Sequence, residues 1–508
     1  MADTGGSMRT SRRMTVAIAV QVDPGDSVAT LLDDARAGER LDIGGVAVTL
    51  ASDIGRGHKV ALVPITPGAA VIKYGFPIGV ARQAIAVGEH VHSHNVVTGL
   101  SGTLDYRYDP VAADIPVDTA APATFQGYVR EDGRVGTRNE IWVLPTVGCV
   151  ARTAERIATR SAAAVAGLVD GVHAFAHPHG CSQLGQDLGG TRSILASLAC
   201  HPNAGGVLII GLGCEENQIA ALMAEIPAWR HGAIRTLVAQ ISADEVEEGC
   251  ALVAELAALA ATPRTAVGLD RLVLGVKCGG SDGLSGLTAN PLVGRVSDRV
   301  AAVGGRVIAT EIPEMFGAER TLMNRAADVE VFDAIVGVVN GFKQYFIDHG
   351  EPVSENPSPG NVAGGITTLE EKSLGAVQKA GRAPVADVIG YGRRVTRDGL
   401  TILEAPGNDA VSSTALAAAG ATAILFTTGR GTPMGFPVPT VKIASNSDLA
   451  ARKPGWIDFD AGAVLVDGFE RAEAGLLARI CAVASGEETA AERNGEREIA
   501  IWQRGVTL

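Results

Sequence analysis

The sequence predicts an α/β protein in which a small β domain precedes α/β domains with mostly parallel sheets. Three observations support this prediction. Residues 14–104 contain short apolar runs broken by glycine and proline, which is typical of short strands. From residue 127 onwards, apolar runs alternate with helix-forming segments, as in strands joined by helical crossovers. The 508 residues, 46% hydrophobic and 19% charged, are enough for several cores.

Domain boundaries are predicted where this pattern changes. The N-terminus has a basic patch but no long apolar core, so we expect a disordered tail rather than a signal peptide. A stretch rich in proline, alanine and aspartate indicates a linker. The predicted order is a tail, a β domain, a linker, a first α/β domain with cysteines at its strand ends, and a second α/β domain with glycine-rich loops: residues 1–13, 14–104, 105–126, 127–264 and 265–508.

Charge and cysteine content restrict the possible partners and the compartment. The net charge is −13 and no long lysine or arginine run is present, which argues against nucleic acid and anionic membranes as partners. No stretch is long and apolar enough to span a bilayer. Seven cysteines, an odd number without a signal peptide, favour reduced thiols and a cytoplasmic location.

Four cysteines, Cys149, Cys181, Cys214 and Cys278, each follow a predicted strand at a glycine turn. Because parallel strands bring their carboxyl ends to one edge, we expect these thiols in one cavity, lined by the "GGSDG" and "GRGTP" loops. The alternative interpretation is buried thiols that tolerate tight turns. The other cysteines lie inside apolar segments, where we expect them in the core: Cys200, Cys250 and Cys481.

The segment "GEHVHSHN" places histidines at alternate positions 90, 92 and 94. On a strand, this spacing turns all three imidazoles to one face, where they can bind a transition metal. The alternative is a solvated polar strand face. The residues alone leave both interpretations open.

Glycine-rich loops such as "KCGGSDGLSG", "NPSPGN", "APGND" and "TTGRGTP" can surround a polyhydroxylated ligand with backbone N–H groups and hydroxyls. Ordinary turn chemistry is the alternative. The chain lacks GxxxxGK[ST] and GxGxxG, which argues against a phosphate loop and a dinucleotide site. The candidate substrate-binding residues in these loops are Ser281, Asp282, Asn361, Asn408, Asp409 and Thr432.

Long motifs give the chain a specific resemblance over nearly its whole length. They include "VIKYGFPIG", "HVHSHN", "DGRVGTRNEIWVLPTVGCV", "HPNAGGVLIIGLGCEENQ", "KCGGSDGLSGLTANPLVGR", "NPSPGNVAGGITTLEEKSLGAVQKAG" and "TTGRGTPMGFPVPTVKIASNS". On these motifs the chain resembles the family of altronate and galactarate dehydratases, which also contains sulfolactate lyase. The resemblance implies that the β domain is a β-clip (SAF-like) module.

The resemblance also implies a reaction. It is the loss of water from D-altronate to give 2-dehydro-3-deoxy-D-gluconate, in hexuronate catabolism, by a hydro-lyase that we expect to be a homo-oligomer. "HVHSHN" and "WIDFDAG" look more like the altronate branch than the galactarate branch. The alternatives are another aldonate or aldarate dehydratase, a sulfolactate sulfo-lyase, and a sugar-acid binding protein without catalysis. In the sulfo-lyase branch the two modules tend to be separate chains, and here they are fused.

Iron is the cofactor that the resemblance implies. Fe²⁺ on His58, His92 and His94 is one arrangement, while an iron–sulfur cluster, or another divalent metal, on the four strand-end cysteines is the other. The chemistry also needs a cation for the substrate carboxylate and a base for the C2 proton. The candidates for these roles are Lys277, Lys379 and Arg430, which the sequence places in the glycine-rich loops, together with His179. The alternative for each is an ordinary polar residue without a catalytic role.

Overall fold

A computed structural model describes residues 19–112 and 123–505. The predicted tail and the central part of the predicted linker lie outside the described residues. The predicted fold class is confirmed, because a domain of short strands is followed by α/β domains with parallel sheets.

The first domain is built from short strands around two small apolar cores. Its sheets are four-stranded, in the order β1-β2-β5-β8, two-stranded, β3-β4, and three-stranded, β6-β7-β9. Gly44 and Gly45 both have positive φ in the turn between β3 and β4, as a two-residue hairpin turn requires. The strands are β1 (Ala19–Val20), β2 (Val28–Leu31), β3 (Arg40–Ile43), β4 (Val46–Thr49), β5 (Lys59–Ala61), β6 (Ala70–Lys73), β7 (Phe76–Ala81), β8 (His90–Val91) and β9 (Val96–Val97).

The second domain is a four-stranded parallel sheet, in the order β13-β12-β14-β15, with helices on both faces. A three-stranded antiparallel sheet, β11-β10-β16, joins it to the third domain, and its strand β10 begins inside the predicted linker. The elements are β10 (Thr124–Val129), β11 (Val135–Gly136), β12 (Glu140–Pro145), α1 (Ala151–Ser161), β13 (Gly171–Ala174), α2 (Gly185–Ala199), β14 (Ala204–Gly211), α3 (Ile219–Glu225), β15 (Ile234–Val238), α4 (Glu245–Ala260) and β16 (Thr265–Gly268).

The third domain is a seven-stranded parallel sheet in the order β19-β20-β18-β17-β21-β22-β23. Strands β18, β19 and β20 lie on one side of β17, and strands β21, β22 and β23 lie on its other side. The carboxyl ends of β17 and β21 therefore flank a topological switch point, where open α/β sheets bind ligands. The strands are β17 (Val273–Cys278), β18 (Arg306–Ala309), β19 (Val385–Ile389), β20 (Gly399–Leu403), β21 (Ala423–Thr428), β22 (Thr440–Ala444) and β23 (Phe459–Asp460).

The helices of the third domain cover both faces of this sheet. One face packs on α5, α7 and α13, and the other shares a core with the second domain, where Trp142 and Phe175 meet Leu416 and Phe426. The helices are α5 (Ala289–Ala302), α6 (Glu319–Met323), α7 (Val329–Asp348), α8 (Pro359–Ala363), α9 (Leu369–Ala376), α10 (Asp409–Ala418), α11 (Ser447–Arg452), α12 (Val464–Asp467), α13 (Phe469–Ala484) and α14 (Ala490–Arg493). Within the described ranges, none of the helices has the length and hydrophobicity needed to cross a membrane.

Candidate active site

A buried ionic triad fixes the β domain to the third domain. The Glu371 carboxylate, on α9, accepts hydrogen bonds from Lys59 Nζ and from Lys73 Nζ, each at 2.8 Å. All three side chains are at most 2% exposed. Burial by itself would raise the pKa of Glu371, but the two ammonium groups outweigh it and hold that pKa at about 2. A third-domain carboxylate thus compensates two β-domain charges.

The backbones of the two domains come into direct contact at glycines. A Cβ at Gly283 would lie 1.9 Å from the Gly57 carbonyl oxygen, and one at Gly365 would lie 2.3 Å from the same atom. Gly57 and Gly365 also have positive φ. The "GGSDG" loop and the "AGGI" segment therefore need glycine because the β domain approaches them closely.

Beside this contact lies a polar pocket of about 530 Å³, within the usual range for small-molecule sites. Arg56, Arg430 and Arg452 contribute guanidinium groups to its wall, and Arg56 pairs with Asp448. The Asp282 carboxylate accepts from Ser445 Oγ at 2.9 Å and from Asn446 Nδ2 at 3.1 Å. The pocket follows β17, β21 and β22, so the predicted loops around Asp282 and Arg430 meet here. Its cationic wall suits a small anionic ligand.

A buried charge network underlies the same sheet edge. Lys277 Nζ lies 2.5 Å from Glu311 Oε1 and 2.9 Å from Asp409 Oδ1. Lys379 Nζ lies 3.1 Å from Glu311 Oε2 and 3.2 Å from Cys278 Sγ. The sequence placed these two lysines in glycine-rich loops, but the structure does not. Lys277 is part of β17, Lys379 is in a 3₁₀ turn after α9, and both are buried. Their ammonium groups neutralise carboxylates beneath the surface.

Asp409 connects the buried network to solvent. Its side chain is 40% exposed, although Lys277, its ionic partner, is fully buried. A Cβ at Gly279 would lie 2.7 Å from Asp409 Oδ2, and a Cβ at Gly280 would lie 3.3 Å from Arg430 Cβ. The glycine pair after β17 thus separates Asp409 on one side from Arg430 on the other.

The histidines cluster, but not by strand alternation. The strand ends at Val91, and residues 92–95 form a turn in which His92 O accepts from Asn95 N and Val96 N, both at 2.9 Å. His58 Nδ1 lies 3.1 Å from His90 Nε2, and the His58 and His92 ring centroids are 5.0 Å apart. His94 is exposed, with its ring centroid 5.5 Å from that of His90. The turn, rather than a shared strand face, brings these rings together.

The chemistry of the histidine cluster suits a divalent metal, although no three of its described residues have ring nitrogens that all lie within 4.8 Å of one another. Burial lowers the pKa of His58, and it lowers the pKa of His90 to about 3 and of His92 to about 4. These imidazoles are therefore neutral near pH 7 and offer lone pairs to a metal, as Fe²⁺ sites use them. His92 Nε2 lies 3.1 Å from the Val362 carbonyl oxygen, and His92 Nδ1 lies 3.5 Å from Thr367 Oγ1. Nδ1, which has the longer contact, is therefore the nitrogen that a metal would take.

A second donor group fits a metal less well. Among the described residues, Cys278, Glu311 and Glu314 are the three whose ligand atoms all lie within 4.8 Å of one another. Burial, with the Glu311 carboxylate beside it, raises the pKa of the Cys278 thiol to about 12. The nearby carboxylates already have lysine partners, so a metal would have to displace ammonium groups. The pairs are Lys277 with Glu311 and Asp409, Lys379 with Glu311, and Lys372 with Glu314.

Several predicted ligand-binding residues hold local structure instead of lining the pocket. Asn408 caps α10, and its side chain accepts from Ala410 N and Val411 N. Asn361 forms a capping box at α8 and donates from Nδ2 to Ser281 O at 2.8 Å. Thr432 Oγ1 accepts from Met434 N. Their polar groups shape the loops around Arg430 and Asp282.

The four strand-end cysteines do not share one sheet edge. Cys149, Cys181 and Cys214 follow β12, β13 and β14 of the second domain and are exposed. Cys278 is the last residue of β17 in the third domain and is buried. The expectation of one four-thiol site is wrong in this respect, because the strands belong to two sheets. His179 is half-buried beside Cys181, in the second domain.

Sequence reasoning missed the carboxylates that organise the site: Glu311, Glu314 and Glu371. Glu311 follows β18, so the strand-end rule applied to the cysteines would also have found it. It has a φ of 70°, a left-handed conformation that is uncommon outside glycine and concentrates at functional sites. His90 was seen in the sequence but left out of the predicted metal ligands, and its Nε2 lies 3.1 Å from His58 Nδ1.

A β module docked over the carboxyl edge of a parallel sheet, next to an arginine-lined pocket, defines an enzyme for a small anionic substrate. The chain belongs to the altronate and galactarate dehydratase family. The altronate/galactarate dehydratase SAF domain matches residues 17–99, the second domain of D-galactarate dehydratase/altronate hydrolase matches residues 127–261, and the C-terminal domain of D-galactarate/altronate dehydratase matches residues 269–507. The family resemblance of the motifs is confirmed.

Individual relatives align over nearly the whole chain. The altronate dehydratase of Escherichia coli (strain K12) is 51% identical over 490 residues, 95% of this chain and 98% of that protein. The altronate dehydratase of Bacillus subtilis (strain 168) is 48% identical over 494 residues, 96% of this chain and 99% of that protein. The galactarate dehydratase (L-threo-forming) of Escherichia coli (strain K12) is 33% identical over 491 residues, 92% and 93% of the two chains.

Proposed function

We propose that the protein is a hydro-lyase that converts D-altronate to 2-dehydro-3-deoxy-D-gluconate. The observation that carries this proposal is the arginine-lined pocket at the switch point, with Arg430 in its wall. The partly exposed carboxylate of Asp409 lies on the other side of the Gly279–Gly280 pair from Arg430. The identity of about half of all residues with two altronate dehydratases, against a third with a galactarate dehydratase, supports altronate as the substrate.

Arg430 binds the substrate carboxylate in this proposal. A guanidinium group matches a carboxylate in charge and in bidentate geometry. Neutralising the carboxylate makes the neighbouring C2 proton more acidic, because the charge that develops on deprotonation is delocalised into it. The Asp282 carboxylate and the Asn446 amide on the pocket wall offer hydrogen-bond partners for the sugar hydroxyls.

Asp409 accepts the C2 proton in this proposal. It is a carboxylate at the first position of α10, and its partner Lys277 holds one of its oxygens at 2.9 Å. Lys277 is a positioning residue, since it is fully buried and links Asp409 to Glu311. After water has left C3, the enol product tautomerises to the 2-keto acid.

Fe²⁺ is the metal that we propose, held by His58, His90 and His92, with His94 at the rim. When bound, it supplies a Lewis acid that helps the C3 hydroxyl to leave. Another divalent metal with affinity for imidazole is the alternative. The neutral state of these rings and their position beside residues 362–367 of the third domain support this assignment.

Replacing His92 by alanine is expected to lower iron content and to reduce activity at least tenfold, or by about 1.4 kcal/mol of barrier. Iron bound per chain and kcat are measured after anaerobic purification. The matched control is His231→Ala, because His231 bonds to a backbone carbonyl in the second domain. Full iron content and unchanged kcat in His92→Ala would contradict the assignment of the histidine cluster.

A substrate panel tests the proposed function. The protein, with ferrous iron and a reductant, is expected to form a 2-keto-3-deoxy acid from D-altronate, detected by the periodate–thiobarbiturate assay. Galactarate, other aldonates and sulfolactate serve as competing substrates. Faster turnover of galactarate would move the assignment to that branch, and altronate binding without turnover in the iron-loaded protein would favour a binding protein. We expect the enzyme to be cytoplasmic and homo-oligomeric.

A further inference from the structure

Three exposed cysteines remain that the proposed reaction does not use. Free cysteine is usually buried, and Cys149, Cys181 and Cys214 are exposed. Cys149 follows β12, Cys181 follows β13 and Cys214 follows β14, which are adjacent parallel strands in the second-domain sheet. Pro145 of β12 pairs in register with Ile210 of β14, and Cys149 and Cys214 each lie four residues beyond this pair. The three cysteines thus lie just beyond the carboxyl ends of three neighbouring strands, at one edge of the second-domain sheet.

Hydrogen bonds join the three loops into one rigid surface. Gly148 N donates to His179 O at 2.8 Å, which links the Cys149 and Cys181 loops. Asn217 N donates to Gly180 O at 3.1 Å and its Nδ2 donates to Thr146 O at 3.1 Å, which ties the Cys214 loop to both.

The loops are packed so closely that a residue larger than glycine cannot be accommodated where they meet. A Cβ at Gly180 would lie 2.0 Å from Thr146 O, and one at Gly148 would lie about 3.0 Å from Pro178. Glycine is therefore required where the loops meet, although each loop exposes its cysteine. This close packing fixes the backbone of the loops that carry the three thiols.

Neighbouring side chains orient two of the thiols. The Glu216 carboxylate accepts a hydrogen bond from the Cys181 thiol, and its Oε2 also accepts from Ser182 N at 2.9 Å, which holds it beside that sulfur. Gln240 Nε2 lies 3.5 Å from Cys214 Sγ and acts as a donor to that sulfur. Hydrogen bonds to ligand sulfurs are among the features that tune iron–sulfur centres.

We propose that Cys149, Cys181 and Cys214 hold an iron–sulfur cluster at the carboxyl edge of the second domain, separate from the histidine site. A cubane cluster spreads its cysteine sulfurs over separate irons. Each of the three cysteines would supply a thiolate to one iron of a [4Fe–4S] cluster.

The test is anaerobic reconstitution of the full-length protein with ferrous iron, sulfide and a thiol reductant. Iron and acid-labile sulfide are then measured after desalting, with the visible absorption of the protein. About four irons and four sulfides per chain are expected in the cluster. Cys149→Ser, Cys181→Ser and Cys214→Ser should each lose labile sulfide and visible absorption, and Cys250→Ser, in the same domain, should keep both. Circular dichroism and thermal unfolding verify that each variant is folded.

The results that would contradict the cluster differ from the results that would contradict the proposed function. Labile sulfide in the wild type that persists in folded Cys181→Ser would overturn the cluster, as would a wild type that takes up iron without sulfide. A disulfide between two of these cysteines in anaerobically purified protein, found by mass spectrometry without reduction, would overturn it too. His92→Ala should retain full labile sulfide. None of these readouts requires altronate turnover.

Discussion

Replacing Glu371 by leucine is expected to destabilise the protein by about 3–5 kcal/mol, because it leaves two buried ammonium groups without a counter-charge. Lys59 and Lys73 come from the β domain, and Glu371 comes from the third domain. The loss of stability should therefore appear first as dissociation of the β domain from the third domain. Denaturant unfolding and limited proteolysis between the domains measure it.

The matched control removes all three charges. In the variant Lys59→Met, Lys73→Met and Glu371→Leu no uncompensated charge remains, so most of the lost stability should return. A single Glu371→Leu variant with wild-type stability and protease resistance would show that the triad does not hold the β domain in place.

Replacing Asp409 by asparagine is expected to lower kcat for altronate by about 10²–10⁴-fold, the usual contribution of a general base. The amide keeps the shape of the side chain but cannot accept the C2 proton. Glu311 continues to neutralise Lys277, so we expect little change in stability. Steady-state kinetics with iron-loaded protein measure the effect.

Asp398→Asn is the matched control, since Asp398 is an exposed carboxylate that pairs with Arg306 away from the pocket. It should retain wild-type kcat. If Asp409→Asn kept wild-type kcat while iron content and stability were unchanged, another residue would have to take the proton.

The architecture was readable from the sequence because it depends on local patterns. Short strands with glycine turns predicted the β domain, and the alternation of strands and helices predicted the parallel sheets. The sequence did not predict which strands belong to the same sheet, because strand order depends on long-range packing. Cys278 carries the same glycine-turn signature as Cys149, Cys181 and Cys214, but its strand joins a different sheet.

The residues of the site could be predicted only in part, because their contacts also depend on long-range packing. The sequence located the loops of Asp282 and Arg430, which do meet in one pocket. It could not show that Lys277 and Lys379 are buried, because that depends on carboxylates distant in sequence, such as Glu311. The histidines were found by their spacing, although a turn and His58, rather than a strand face, bring them together.

The most direct test of the account is an anaerobic crystal structure of the Asp409→Asn variant with D-altronate, since slow turnover should trap the substrate. We predict that the sugar acid lies in the pocket between the β domain and the third domain. Its carboxylate should contact Arg430 and its C2 should face residue 409. Density for altronate at the cysteine edge of the second domain, or in the separate pocket lined by Arg393 and Arg394, would contradict the account.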